Sequence, residues 1–150
     1  MKYILALTLT FCLHLYNHSY CQEKTDNKSI ILEITNLRSE TGQIGLSIYN
    51  SKEGFPKEES RIYRKVIIYE WEGGTARTII EDLPYGEYAI CLWHDENRDN
   101  DMNYSFFGIP KEGYCFSNNV KPTLRAPKWE EAKFTFSRET VIQEIEMKYW

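Results

Sequence analysis

An all-β sandwich is the fold class this sequence predicts, and three observations predict it. Apolar residues recur with period two along much of the chain, the pattern of strands with one buried face. No segment sustains the 3.6 period of an amphipathic helix. Aromatic residues make up 15% of the 150 residues, and aromatic side chains favour strands. A sheet with one apolar face must bury it against a second layer. About seven strands without helices therefore imply an antiparallel sandwich, immunoglobulin-like or transthyretin-like, with one long acidic loop.

Each element follows from local pattern. Ile30, Leu32 and Ile34 mark a first strand and Ile44, Leu46 and Ile48 a second, with the turn Glu40-Thr41-Gly42 between them. The two are expected to pair as a hairpin. After a loop containing Gly54-Phe55-Pro56, residues 62–71 read as a third strand. Gly73-Gly74 is a turn and residues 75–80 a fourth strand. The run Asp82-Leu83-Pro84-Tyr85-Gly86 is a strong turn signal. It leads into residues 87–93, whose near-continuous apolar character predicts a central strand covered on both faces. Tyr88, just past the turn, is placed to return its hydroxyl to turn backbone in the manner of a tyrosine corner. Residues 94–127 are expected to be a long irregular segment, and long loops are often functional. Residues 128–132 suit one helical turn. Phe134 and Phe136 mark a further strand, and Val141, Ile142, Ile145 and Met147 the last.

The N-terminus predicts export. A basic start at Lys2 precedes an apolar run over residues 3–16, the length of a signal-peptide core and too short to span a bilayer. The expected division is a signal peptide over 1–21, a flexible leader over 22–28 and a sandwich domain over 29–150, with no transmembrane segment after cleavage. The expected location is periplasmic or extracellular; acylation of Cys21 to give a lipoprotein is the competing reading. The formal charge of −4 offers no basic patch for nucleic acid. Cys91 and Cys115 remain after cleavage, and export permits a disulfide between them. The alternative is two buried thiols behaving as small hydrophobes.

The run 95–103, DENRDNDMN, carries the chemistry. Asp95, Asn97, Asp99, Asp101 and Asn103 alternate along it. Calcium takes several oxygen ligands from a short curled segment. On an EF-type template Asp95, Asn97, Asp99 and Asn103 supply side chains and Asp101 its carbonyl. The closing position falls on Phe106 rather than Glu, so another carboxylate, Glu112, would have to close the site. A plain solvated turn is the alternative. His94, just before the loop, is either a general base or metal ligand or a strand-end histidine bonded to the loop. Tyr104 and Phe107, among the aromatics of the long segment, either form a ligand platform or cover an end of the sandwich.

The run from Leu83 to Asn119, LPYGEYAICLWHDENRDNDMNYSFFGIPKEGYCFSNN, resembles the signature of an exported bacterial family, domain-of-unknown-function 2141. The resemblance extends over the rest of the chain from Ile30 to Tyr149. The family pattern reads His-Asp-Glu-Asn, a Gly-containing acidic turn, then Gly-Ile-Pro-Lys-Glu-Gly. Here His94 to Asn97 and Gly108 to Gly113 match it. Arg98 and Asn100 stand where the family usually has glycine, Asn103 where it has Asp, and Cys91 and Cys115 where it has small residues. The resemblance implies fold and export and carries no activity.

The expected function is thus an exported β-sandwich binding or structural module, calcium-stabilised, with a glycan or protein ligand contacted by His94, Glu112, Tyr104 and Phe107. The alternative is a small hydrolase or isomerase using His94 with Asp95 or Glu112.

Overall fold

The computed structural model describes residues 29–121, 125–137 and 140–150. The expected signal peptide and leader lie outside the described residues. Among the described residues eight strands build two sheets. They are β1 (Ser29–Thr35), β2 (Gln43–Tyr49), β3 (Arg64–Ile68), β4 (Ala76–Glu81), β5 (Gly86–Asp95), β6 (Gly113–Phe116), β7 (Phe134–Phe136) and β8 (Val141–Glu146). One sheet has the order β4-β1-β8. The other runs β3-β2-β5-β6, with β7 pairing the start of β5. The chain is an all-β sandwich rich in antiparallel pairing. One pairing is parallel: β8 lies along β1, with Ile145 opposite Ile34.

The core forms where the inward residues of both sheets meet. Ile30, Leu32 and Ile34 of β1 face Ile44, Leu46 and Ile48 of β2 and Ile90 and Leu92 of β5, all buried. Burying each such aliphatic side chain is worth about 1.5–3 kcal/mol. The period-two pattern places these residues on one face whatever the strand order. That is why core membership follows from sequence while pairing does not.

Pairing is where the expectation fails. β1 and β2 are not a hairpin; they belong to different sheets, and the seven residues between them cross from one layer to the other. Gly73-Gly74 forms the turn expected, and it carries the chain from the edge of one sheet to the edge of the other. Hydrophobic alternation is satisfied equally by a hairpin and by a crossover. The partner of a strand is settled by packing across the whole sandwich.

β5 is the central strand expected. It pairs with β2 on one edge and with β6 and β7 elsewhere along its length. At its start the Tyr88 hydroxyl donates to the Pro84 carbonyl at 2.7 Å, closing the turn as a tyrosine corner does. Tyr88→Phe removes that bond and leaves a carbonyl without its partner. We expect a loss of about 0.5–1.5 kcal/mol in urea unfolding, with an unchanged slope. The helical turn appears at Trp129–Ala132. β6 lies inside the segment expected to be irregular. At four residues, with one glycine, it is too short for periodicity to reveal.

Candidate functional site

The acidic segment leaves β5 at Asp95 and returns at β6 through Glu112 and Gly113. Three devices hold its base. Gly42 has φ +88°, and a side chain there would meet the Asp95 carbonyl at 2.1 Å, so only glycine lets the preceding turn lie against the loop. Gln43 donates to Asp95 Oδ2 and to Asn100 Oδ1, both at 2.8 Å. Arg38 pairs with Glu96, donates to the Lys111 carbonyl at 2.8 Å and stacks 4.4 Å from the centre of the Tyr149 ring. Burial pulls the Glu96 carboxyl up, but the Arg38 pair and the Ser39 hydroxyl together outweigh it and hold the group below the usual range.

The loop then curls on itself. The Asn100 amide donates to Asp95 Oδ2 at 3.0 Å. Those of Asp99 and Asp101 donate to the Asn97 and Asp99 side chains at 3.1 and 2.9 Å. Asn97 and Asn103 donate to Asp99 Oδ2 at 2.8 and 2.9 Å. Arg98 and Asn100 both take positive φ, 60° and 63°. The backbone there needs the left-handed region, which asparagine tolerates better than arginine. Arg98 donates to the Gly42 carbonyl at 2.9 Å, tying that residue to the preceding turn.

Two carboxylates of the set are deeply placed. Glu112, 4% exposed, receives the amides of Glu96 and Asn103 at 3.2 and 3.1 Å, so it ties the two ends of the loop together. Burial raises its carboxyl above the usual value, and the charges of Asp95 and Asp99 add to that. Asp95 is fully buried, and its Oδ1 has no hydrogen-bond partner. A buried carboxylate oxygen without a partner is costly unless something else compensates it. Asn97, Asp99 and Asp101 are exposed and Asn103 is half-buried. Among the described residues no three His, Cys, Asp or Glu side chains group as metal ligands. A cation here would therefore draw on amide and backbone oxygens as well, a donor set calcium accepts.

His94 is not part of this loop's open face. It is fully buried. Its Nε2 lies 2.9 Å from the Thr41 carbonyl, which can only accept, so Nε2 carries the proton. Nδ1 then accepts from the Tyr149 hydroxyl at 2.6 Å. Trp71 packs its edge against the imidazole at 5.2 Å between centres. Both nitrogens are occupied, by the Thr41 turn and by Tyr149 rather than by the acidic loop.

Tyr104 and Phe107 lie on the outer arm of the loop. A bridge between Tyr104 and Pro110 and a 2.7 Å bond from Ser105 N to the Ile109 carbonyl form a tight tip. Phe106 and Phe107 stand at 98% and 83% exposure on it. His94 and Glu112, placed with these two in one ligand set on sequence grounds, point instead into the core and into the loop base.

Cys91 and Cys115 are free thiols. In the register Cys91 faces Phe116 while Cys115 faces Leu92. The two cysteines therefore sit on opposite faces of the sheet, and the expected disulfide is not formed. Cys115 belongs to the core beside Met147, at 3.8 Å between sulfurs. Burial raises both thiols well above their ordinary range.

The residues that sequence reasoning missed are Arg38, Gln43, Thr41 and Tyr149. None carries a local signal. Each reaches the loop or His94 from a distant strand or turn.

A family model described as an uncharacterised protein conserved in bacteria, DUF2141, matches residues 32–143. The chain belongs to this family. The matched span takes in the whole acidic loop and six complete strands, and it begins and ends inside β1 and β8. No curated protein and no solved structure matches the chain.

Proposed function

We propose that this DUF2141 protein is an exported binding module whose sandwich is stabilised by calcium in the loop from Asp95 to Glu112. The observation that carries the reading is the Asp95 carboxylate, fully buried with Oδ1 unpartnered, in a loop curled by positive-φ residues. Asp95 Oδ1, the side-chain oxygens of Asn97, Asp99 and Asn103 and the carbonyl of Asp101 are the oxygens that would hold the ion; calcium would offset the mutual repulsion of the two carboxylates. The export half of the reading rests on the apolar N-terminal run.

Calorimetric titration of the chain from residue 22 tests it. One equivalent of Ca²⁺ is expected to bind, with Mg²⁺ weaker because the smaller ion demands near-octahedral geometry and dehydrates reluctantly. No heat of binding with calcium, in protein freed of metal by chelator, would remove the reading.

A further inference from the structure

The outer face of the five-stranded sheet, away from the core and from the acidic loop's oxygens, carries a second site. Register places two rows across it. One is Ile67, Gly45, Trp93 and Tyr114; the other is Lys65, Ser47, Cys91 and Phe116. Ser47 and Cys91 keep the middle of the second row small, and Gly45 lets the Trp93 ring lie across the first, so the rows form a trough. Gly45 has no side chain because the Trp93 ring lies over it: a Cβ there would come within 3.1 Å of that ring. The tip bearing Tyr104 and Phe107 rises on one side, and Lys57 and Arg125 lie at other margins. The enclosed volume is about 690 Å³, within the range of small-molecule sites, about 300–1,000 Å³.

Two features say what it takes. The lining is largely aromatic, with Trp93, Tyr114 and Phe116 on the sheet and Phe107 on the tip, which suits a flat apolar body. Among the described residues the charged side chains of the lining are Lys57 and Arg125, both cationic, in a chain with more acids than bases. Arg125 is already held by Glu131, which leaves Lys57. We propose that this trough binds a small amphipathic organic anion, with its flat apolar body on Trp93 and its charge toward Lys57. A glycan is the poorer fit. Its many hydroxyls would lose water against a floor of glycine, cysteine and aromatic carbon with few polar partners.

The inference does not rest on the metal site, and the test keeps the two apart. The probe is 8-anilinonaphthalene-1-sulfonate, titrated by fluorescence into the folded chain from residue 22. Its uncharged analogue N-phenyl-1-naphthylamine is run in parallel, each with calcium and again with chelator. We expect one saturable site for the sulfonate, with quenching of tryptophan emission and about fivefold or greater weakening for the uncharged analogue. Lys57→Glu, an exposed change that leaves the sheet intact, should weaken the sulfonate by a similar factor. Ser47→Trp should abolish binding by filling the trough. Absence of a saturable site, or equal affinity of wild type, Lys57→Glu and Ser47→Trp, overturns the proposal. Equal affinity for both probes overturns its anionic part, and displacement of the sulfonate by cellohexaose would replace it with a glycan site. Probe binding without calcium binding sinks only the calcium reading, and the reverse sinks only this one.

Discussion

Calcium is expected to raise the melting midpoint of the chain from residue 22 by roughly 10 °C when present at about a hundred times its dissociation constant. A ligand that binds only the native state adds about 2.7 kcal/mol under those conditions. Each kcal/mol is worth a few degrees in a domain of this size. Asp95→Asn separates a metal ligand from a structural carboxylate. The amide oxygen can still accept from Gln43 and from the Asn100 backbone, as Oδ2 does now. What the change removes is the charge and the unpartnered Oδ1. With calcium the variant should lose most of the gain. In chelator it should melt close to the wild type, because removal of a buried charge held by only two donors is offset by an amide NH2 left without an acceptor in place of Oδ1. A variant that melts several degrees lower in chelator would instead make Asp95 a structural clamp. A wild type indifferent to calcium would leave DENRDNDMN as a hydrogen-bonded acidic turn.

His94→Ala is expected to cost about 3–5 kcal/mol in urea unfolding. The figure joins the cavity left by a fully buried ring to the orphaning of its partners. The Thr41 carbonyl loses its donor and the Tyr149 hydroxyl its acceptor. Tyr149 also packs over Arg38, which holds Glu96 at the loop base, so damage should spread to the loop. His94→Gln, which retains one donor and one acceptor, should recover part of the loss. A cost below about 1 kcal/mol for His94→Ala would mean that these bonds add little. The stability role assigned to the buried imidazole would then fail, and the acid–base reading of His94 would regain its ground.

Much of the fold was legible in the residues. The alternation Ile30, Leu32, Ile34 and Ile44, Leu46, Ile48 marks buried faces correctly because side chains of a strand point to alternate sides regardless of neighbours. The corner at Tyr88 was legible because its partner, Pro84, is four residues away. The first two strands misled because the alternation is the same in a hairpin and in two strands facing each other across a core. The site divides in the same way. Asp95, Asn97, Asp99 and Asn103 stand out by spacing, and their bonds to one another are local. Burial of Asp95 is not local: Gln43 and Gly42 create it from the preceding turn and strand.

The cysteines make the same point with a different outcome. Sequence left a disulfide and two thiols open, since spacing carries no distance. The β5–β6 register decides it by placing Cys91 on the outer face and Cys115 in the core. The groove could not have been read at all. Gly45, Ser47, Cys91 and Trp93 come from two strands, and nothing in either says that the other lies beside it.

By itself, then, the sequence determined the fold class, the membership of the core, the family and the oxygen-rich loop, because each is written in residue type and short-range period. Only the tertiary structure decided which strands pair, that His94 is enclosed by Thr41 and Tyr149, that the cysteines are apart, and that a trough crosses the outer sheet. Those depend on contacts between segments far apart in the chain, made when the two sheets close over their shared apolar face.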